Sequence, residues 1–219
     1  MIPVGVARRD YASRHGYWRT GLHLACEGLR HAGVVARSIV VGLRPEHVVR
    51  SAFDSGVAFE RRLLTTNEVA GLPSAAPPNQ LSAAFLAKAE TRGDLCYAIL
   101  DKGVIVSFGW YALTTATLYG RPLDFERDYV FMYHGYTAGH YRGRHLHALG
   151  LAEALATFCA RGRRGLVSVI DAVNFDSLAS ARRLGFIERG SILHVGRGVC
   201  SVRFATPATR EFGIRVVEA

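Results

Sequence analysis

Thirteen residues, Gly135-Tyr-Thr-Ala-Gly-His-Tyr-Arg-Gly-Arg-His-Leu-His147, bring two arginines, three histidines and three glycines into one short segment. The aromatic run before it reads as a strand, and the apolar spacing after it reads as a helix. A helix start leaves about four backbone N–H groups unpaired and adds partial positive charge from the aligned peptide dipoles. Arg142 and Arg144 reinforce that field, so the turn has the makings of a pyrophosphate cradle. A plain strand-to-helix connection with surface arginines has the same composition. A metal site at His140, His145 and His147 is disfavoured, because residues two apart on a helix do not share a face. No metal is expected.

A second segment narrows the choice. Asn174-Phe-Asp-Ser177 has a helix-capping residue at its head, and Arg182-Arg183-Leu184-Gly185-Phe186 closes the same helix on a glycine before the next strand. Each half alone is ordinary capping. Their recurrence after a basic strand–turn–helix is more specific.

The elements that must position these residues can be read along the chain. Trp18 to His31 reads as an amphipathic helix with Leu22, Ala25, Cys26 and Leu29 on one face, ended near Gly33, and Ser38 to Leu43 as a short strand. Val57 to Leu64 is the next predicted strand, and Thr65 with Glu68 forms a capping box. Gly71 to Gln80 is read as a loop and Leu81 to Arg92 as a helix. Leu95 to Leu100 and Val104 to Leu113 form a hairpin about Asp101-Lys102-Gly103. A polar loop is expected from Tyr119 to Asp128, then a strand over Tyr129 to Thr137 and a helix over Arg144 to Ala160. Leu166 to Asp171, Phe175 to Leu184, Phe186 to Val195 and Val199 to Ala205 complete a strand, helix, strand, strand series. The expected fold class is α/β in the mixed α+β sense: a central, mostly antiparallel sheet flanked by helices. The expected organisation is an N-terminal helical extension over 1–55, one domain over 56–205 and a C-terminal tail over 206–219.

On the two segments quoted above, the chain from Val57 to Ala205 resembles the GNAT superfamily of N-acyltransferases. In that family the turn after the fourth strand reads Arg/Gln-x-x-Gly-x-Gly/Ala, and here Arg142-Gly-Arg-His145-Leu-His147 stands in its place. Arg142 matches, while His145 and His147 replace glycine and glycine or alanine. Histidine bulk there implies either phosphates lying further out, helped by the imidazoles, or an altered cofactor. The second region follows Asn-x-x-Ala/Ser…Gly-Phe through Asn174, Ser177, Gly185 and Phe186.

The resemblance implies acetyl-CoA or another acyl-CoA as donor. Arg142, Gly143, Arg144, His145, Leu146 and His147 would hold its pyrophosphate. Thr137 and Ala138 would align the pantetheine amides, with Asn174 and Ser177 beside that arm. An amine would attack the thioester directly in a ternary complex, and a backbone N–H near Gly135 to Thr137 would stabilise the oxyanion if the strand splays from its neighbour. His134 is the candidate base, with Glu126, Asp128 and Asp171 or a water chain as alternatives. The family's acid tyrosine falls at Ala181, so Tyr136 is the candidate substitute.

Charge and composition bound these expectations. A formal charge of +9, with 25 of 27 basic residues arginine, favours an anionic partner. The alternatives are transfer from an acidic acyl carrier protein, as in GNAT-like long-chain N-acyl synthases, and a degenerate module that binds without turnover. Nucleic acid is not expected, since no stacked aromatic-basic motif occurs. With 49% hydrophobic and 21% charged residues and no apolar run near 20 residues, neither disorder nor a membrane span is expected. Charges at Arg8, Arg9 and Asp10 argue against a signal peptide, and Cys26, Cys96, Cys159 and Cys200 form no CxxC pair, which suits a cytoplasmic protein with reduced thiols. The amine acceptor, a small molecule, and any homodimer contact would lie at residues 1–55 and the Thr114 to Asp128 loop.

Overall fold

A run of six residues in the N-terminal fifth of the chain, Ser-Ile-Val-Val-Gly-Leu, is buried almost throughout and has a strand on either side. Such a continuous run fits a strand covered on both faces. It belongs to β1 (Val35–Leu43), which follows helix α1 (Tyr17–His31). The computed structural model describes residues 12–32, 35–49, 59–197, 200–211 and 213–216. The leader reading at residues 1–11, the helix stop at Gly33 and the strand starts at Val57 and Val199 lie outside them.

The remaining elements are β2 (Glu60–Leu64), α2 (Thr66–Ala70), α3 (Ala83–Arg92), β3 (Leu95–Asp101), β4 (Val104–Ala112), β5 (Ala116–Leu118), β6 (Arg121–Asp124) and β7 (Tyr129–Thr137). They continue through α4 (Leu146–Ala160), β8 (Gly165–Asp171), α5 (Phe175–Leu184), β9 (Ile187–Arg197), β10 (Cys200–Ala205), α6 (Pro207–Glu211) and β11 (Arg215–Val216). Eight strands form one sheet in the order β10-β9-β1-β8-β7-β4-β3-β2, and every pairing is antiparallel except β7 with β8. This is the mixed, mostly antiparallel sheet flanked by helices that the sequence predicts. Among the described residues no helix is long and apolar enough to cross a membrane.

Helices α4 and α5 cover one face, where Leu151, Leu155, Phe158, Ala181 and Leu184 pack on Val41, Val130 and Met132. Helices α2 and α3 cover the other face through Val69 and Ala89 against Cys96, Phe108 and Trp110. Local chemistry fixes these elements. Thr65 and Glu68 make the predicted reciprocal capping box. Ser82 caps α3, so that helix starts two residues later than its apolar pattern suggests. At the end of α5, Gly185 has φ +105, and a Cβ there would collide with the carbonyl of His47.

Three expectations need correction. Residues 35–43 are not part of an appendage: β1 pairs with β8 on one side and β9 on the other, so this segment completes the main sheet. A strand with both edges occupied satisfies its backbone groups and buries Val40, Val41 and Leu43 together. Tyr119 to Asp128 is not a plain loop. Tyr119 and Gly120, with φ of 53° and 78°, turn β5 into β6, and β11 of the tail pairs with β6. Leu123, Phe125 and Ile214 seal this small sheet onto the main one. Finally, the leucines of α1 face outward: Leu22, Ala25 and Leu29 are exposed. Its polar side is the anchor, with His23 Nδ1 3.1 Å from the Val173 carbonyl and Arg19 stacked on Phe175 at 5.5 Å.

Candidate functional site

The parallel pairing of β7 and β8 runs from Tyr129 opposite Gly165 to Met132 opposite Ser168 and stops there. Beyond it β8 stays paired with β1 through Asp171, while β7 stays paired with β4 through Thr137. The two strands therefore diverge, as the resemblance implies. A bulge at Tyr133, which has no partner between Trp110–His134 and Tyr111–Met132, sharpens the bend. A cleft of about 470 Å³ opens between the strands. Its walls include Tyr133, His134 and Gly135 of β7, Ser168 to Asp171 of β8, and Asn174, Ser177 and Ala181 around α5.

Strand geometry decides which backbone groups face this opening. Ala138 N–H donates to the Val106 carbonyl at 2.9 Å, toward β4. Alternation along a strand then turns Gly135 and Thr137 the other way, toward the side β8 has left. Of the two residues expected to align the pantetheine amides, Thr137 and Ala138, the second has its N–H bonded within the sheet. The Thr137 carbonyl accepts from Arg142 Nε at 3.3 Å, and its hydroxyl lies 2.8 Å from Ser107 Oγ.

After β7 the chain makes a 3-10 turn at Gly139–Tyr141, pinned by Tyr141, whose hydroxyl donates to Asp101 Oδ2 at 2.7 Å. Gly143 (φ 80°) and His145 (φ 57°) both take left-handed conformations around Arg144, and α4 starts at Leu146 rather than Arg144. The first helical bond joins Leu149 N–H to the His145 carbonyl, and His145 gives no side-chain cap. The N–H groups of Leu146, His147 and Ala148 thus have no partner within the helix. Arg142, Gly143, Arg144 and His145 are exposed around them, and Leu146, 1% exposed, anchors the turn in the core beside Ile99 and Leu149. Arg144 lies over the Tyr141 ring at 5.4 Å.

The two candidate catalytic residues sit on the α3 face of β7. His134 reaches the cleft wall, but its ring is held between Phe85 and Phe108, with centroids 5.1 and 5.6 Å away, and Nε2 is 3.2 Å from the Gln80 carbonyl. Burial holds its pKa below the ordinary histidine value, opposed by that bond. Tyr136 stacks on Phe108 at 5.9 Å and is not among the cleft-lining residues. Behind the bulge, Tyr133 and Arg92 both donate to Asp94 Oδ2 at 2.8 Å. Asp94 is 2% exposed, and burial raises its pKa against the opposing pull of Arg92 and Tyr133.

On the opposite wall, Asn174 caps α5 by accepting from Ser177 N–H at 3.2 Å, and both residues border the cleft. Asp176, at the mouth, is held by His15 Nε2 at 2.8 Å and Arg14 Nη1 at 3.2 Å. Ala181, the vacant tyrosine position, also lines the cleft.

Sequence reasoning missed where His147 points. It was grouped with the phosphate turn, yet its ring enters the cleft and lies against Gly135. A Cβ on that glycine would fall 2.5 Å from His147 Cε1 and 2.8 Å from Met132 Cε. Helical side chains lean toward the N-terminus, so a first-turn residue on the inner face reaches back to the strand before it. Among the described residues no hydrogen-bond partner meets either ring nitrogen, and burial alone lowers the pKa of His147.

The sequence matches no protein-family model and no curated protein. Among solved structures the chain is similar to a GNAT-family acetyltransferase from Colwellia psychrerythraea, at 12% identity over 78% of this chain and 56% of that one, with a TM-score of 0.46. It is similar to a GCN5-related N-acetyltransferase-like protein from Streptococcus suis at 16% identity, 76% and 65% coverage and a TM-score of 0.48. An aminoglycoside N-acetyltransferase in complex with CoA matches at 17% identity, covering 64% of this chain and 95% of that one, with a TM-score of 0.44. The chain thus spans little more than half the length of the Colwellia protein.

Proposed function

We propose that the chain is an N-acyltransferase that moves an acyl group, most simply acetyl, from acyl-CoA to a small-molecule amine. The observation that carries the reading is the β7–β8 cleft, whose lining includes His147 of the uncapped first turn of α4. A donor laid from the cleft over that turn would meet unpaired strand amides, then free helix amides, then Arg142 and Arg144.

The residues present fit such a donor. The N–H groups of Leu146 to Ala148 and the two arginine side chains would hold a pyrophosphate. Gly135 and Thr137 would meet the pantetheine amides, with Asn174 and Ser177 on the far side. A backbone N–H of the same stretch would stabilise negative charge on the carbonyl oxygen. The donor supplies the activated thioester. The chain orients it and would keep the acyl end beside Met132, Ile170 and Phe186, the apolar part of a cleft of mixed lining. We read His134 and Tyr136 as the aromatic wall on the acceptor side, together with Phe85 and Phe108.

The test is thermal unfolding of the chain alone and with acetyl-CoA, free CoA or a long-chain acyl-CoA. A ligand at about a hundred times its Kd adds roughly 2.7 kcal/mol to stability. Stabilisation by acetyl-CoA and CoA, followed by thiol release with an amine panel, is the expected outcome. Failure of all three to stabilise sinks the CoA-donor reading and leaves the carrier-protein donor. Stabilisation without thiol release identifies a binding module.

A further inference from the structure

We propose that His147 carries the proton of the transfer reaction, taking it from the attacking amine and returning it to the departing sulfur. The assignment rests on the acyl-transfer reading.

Position comes first. Met132 is the last residue of β7 paired with β8, so it marks the vertex of the cleft. A Cβ built on Gly135 would lie 2.5 Å from His147 Cε1, 3.2 Å from His147 Nδ1 and 2.8 Å from Met132 Cε, so the imidazole lies against β7 beside the Met132 side chain, where it lines the cleft. Nδ1 is the ring nitrogen placed beside Gly135. A thioester entering along Gly135 and Thr137 would end there.

Availability comes second. Among the described residues neither nitrogen of His147 has a hydrogen-bond partner, whereas His134 Nε2 faces the Gln80 carbonyl. Neutral imidazole accepts a proton at one nitrogen while the other keeps its hydrogen. Ala181 carries no hydroxyl on the facing wall, and Ser177 and Ser180 of α5, which also line the cleft, offer alcohol hydroxyls, weaker proton donors than an imidazolium.

The step balances. The amine nitrogen forms a bond to the acyl carbon, and the carbon–sulfur bond breaks. The proton lost by nitrogen passes to His147, and His147⁺ gives it to the thiolate, so the products are an amide and a thiol with His147 neutral again. No further reactant is needed. The titratable groups around His147 are Tyr97 of β3, Tyr111 of β4, Tyr133 and His134 of β7, Asp171 of β8 and Asp176 of α5. His134 is the other histidine of this set.

The experiment uses the full chain with acetyl-CoA as donor, hydroxylamine and a primary-amine panel as acceptors, and thiol release as readout. His147→Asn should lower turnover by about 10²- to 10⁴-fold while CoA still stabilises the protein. Its acidic limb in the pH profile should vanish, and the limb should persist in His134→Asn. Added imidazole should restore part of the turnover of His147→Ala. Independently of activity, the imidazole Cε1–H resonance of His147 should titrate in the free protein and shift when CoA binds. Near-normal turnover and an unchanged acidic limb in His147→Asn, with CoA binding retained, overturn the assignment alone. Wild-type protein that neither binds CoA nor releases thiol overturns the acyl-transfer reading, and the role of His147 with it.

Discussion

The two faces of β7 each meet a histidine, and their surroundings differ. On the α3 face, His134 is wedged between Phe85 and Phe108 with Nε2 at the Gln80 carbonyl. On the α4 face, His147 rests on a glycine, borders an open cleft and meets no hydrogen-bonding side chain among the described residues. Burial depresses both pKa values. A lowered pKa therefore does not separate packing from chemistry here. The free valence of the ring does, since both histidines line the cleft and His134 Nε2 is the one that faces a carbonyl.

The contrast can be broken most directly by exchanging the effects of Asn substitutions at the two positions. If His134→Asn, rather than His147→Asn, shows the loss of two or more orders of magnitude, the α3 face holds the chemistry and the comparison is inverted. The next largest effect is expected outside the cleft. Arg142→Ala should weaken CoA binding by about tenfold to a hundredfold through loss of a charge-assisted phosphate contact, with turnover at saturation little changed. Isothermal titration reads this directly, and an unchanged Kd removes the turn from the donor site.

A smaller effect is expected from Gly135→Ala. The added methyl must push aside the His147 ring and the end of Met132. Both side chains can move, so the stability cost should be about 1–3 kcal/mol. Turnover should fall roughly tenfold as His147 is misplaced. Wild-type kinetics in this variant would show that the contact with Gly135 does not set the ring's position.

The smallest effect concerns stability. Because the folded chain holds His147 neutral, the unfolded chain binds its proton more readily. The stability linked to the neutral ring is present above the ordinary histidine value, near 6.5, and is lost as pH falls through that value and the lower folded one. His134 behaves in the same direction. Unfolding midpoints at several pH values should therefore flatten slightly in either Asn variant. Equal flattening with unequal activity profiles would sharpen the distinction between a buried ring and a working one.

These contrasts also show what could be read from residues alone. The basic turn, the capping box at Thr65, the caps at Asn174 and Gly185 and the strand that ends at Thr137 are local patterns, and each appears where its residues predict. The direction of His147 was not legible, because neighbouring residues do not say which side of the first turn of α4 meets the sheet. The α1 face was misread for a related reason. A leucine stripe predicts burial, but here the histidine and arginine contacts to the Val173–Asp176 turn hold the neighbouring side inward. The place of β1 depends on pairing with strands far along the chain, and the Tyr119-Gly120 hairpin was hidden by the polar residues around it.

That placement of β1 has a kinetic consequence. Ser38 pairs with Asp171 and also with Ile192, so this strand waits for partners that lie far along the chain. The central sheet closes only after a very long loop has been closed, and folding speed falls as contacts become less local. Until then β8 and β9 each show an unpaired edge, a template for mispairing with another chain. Refolding should accordingly be slow and sensitive to protein concentration. A peptide spanning β1, added to a chain lacking it, would be the missing strand supplied from outside.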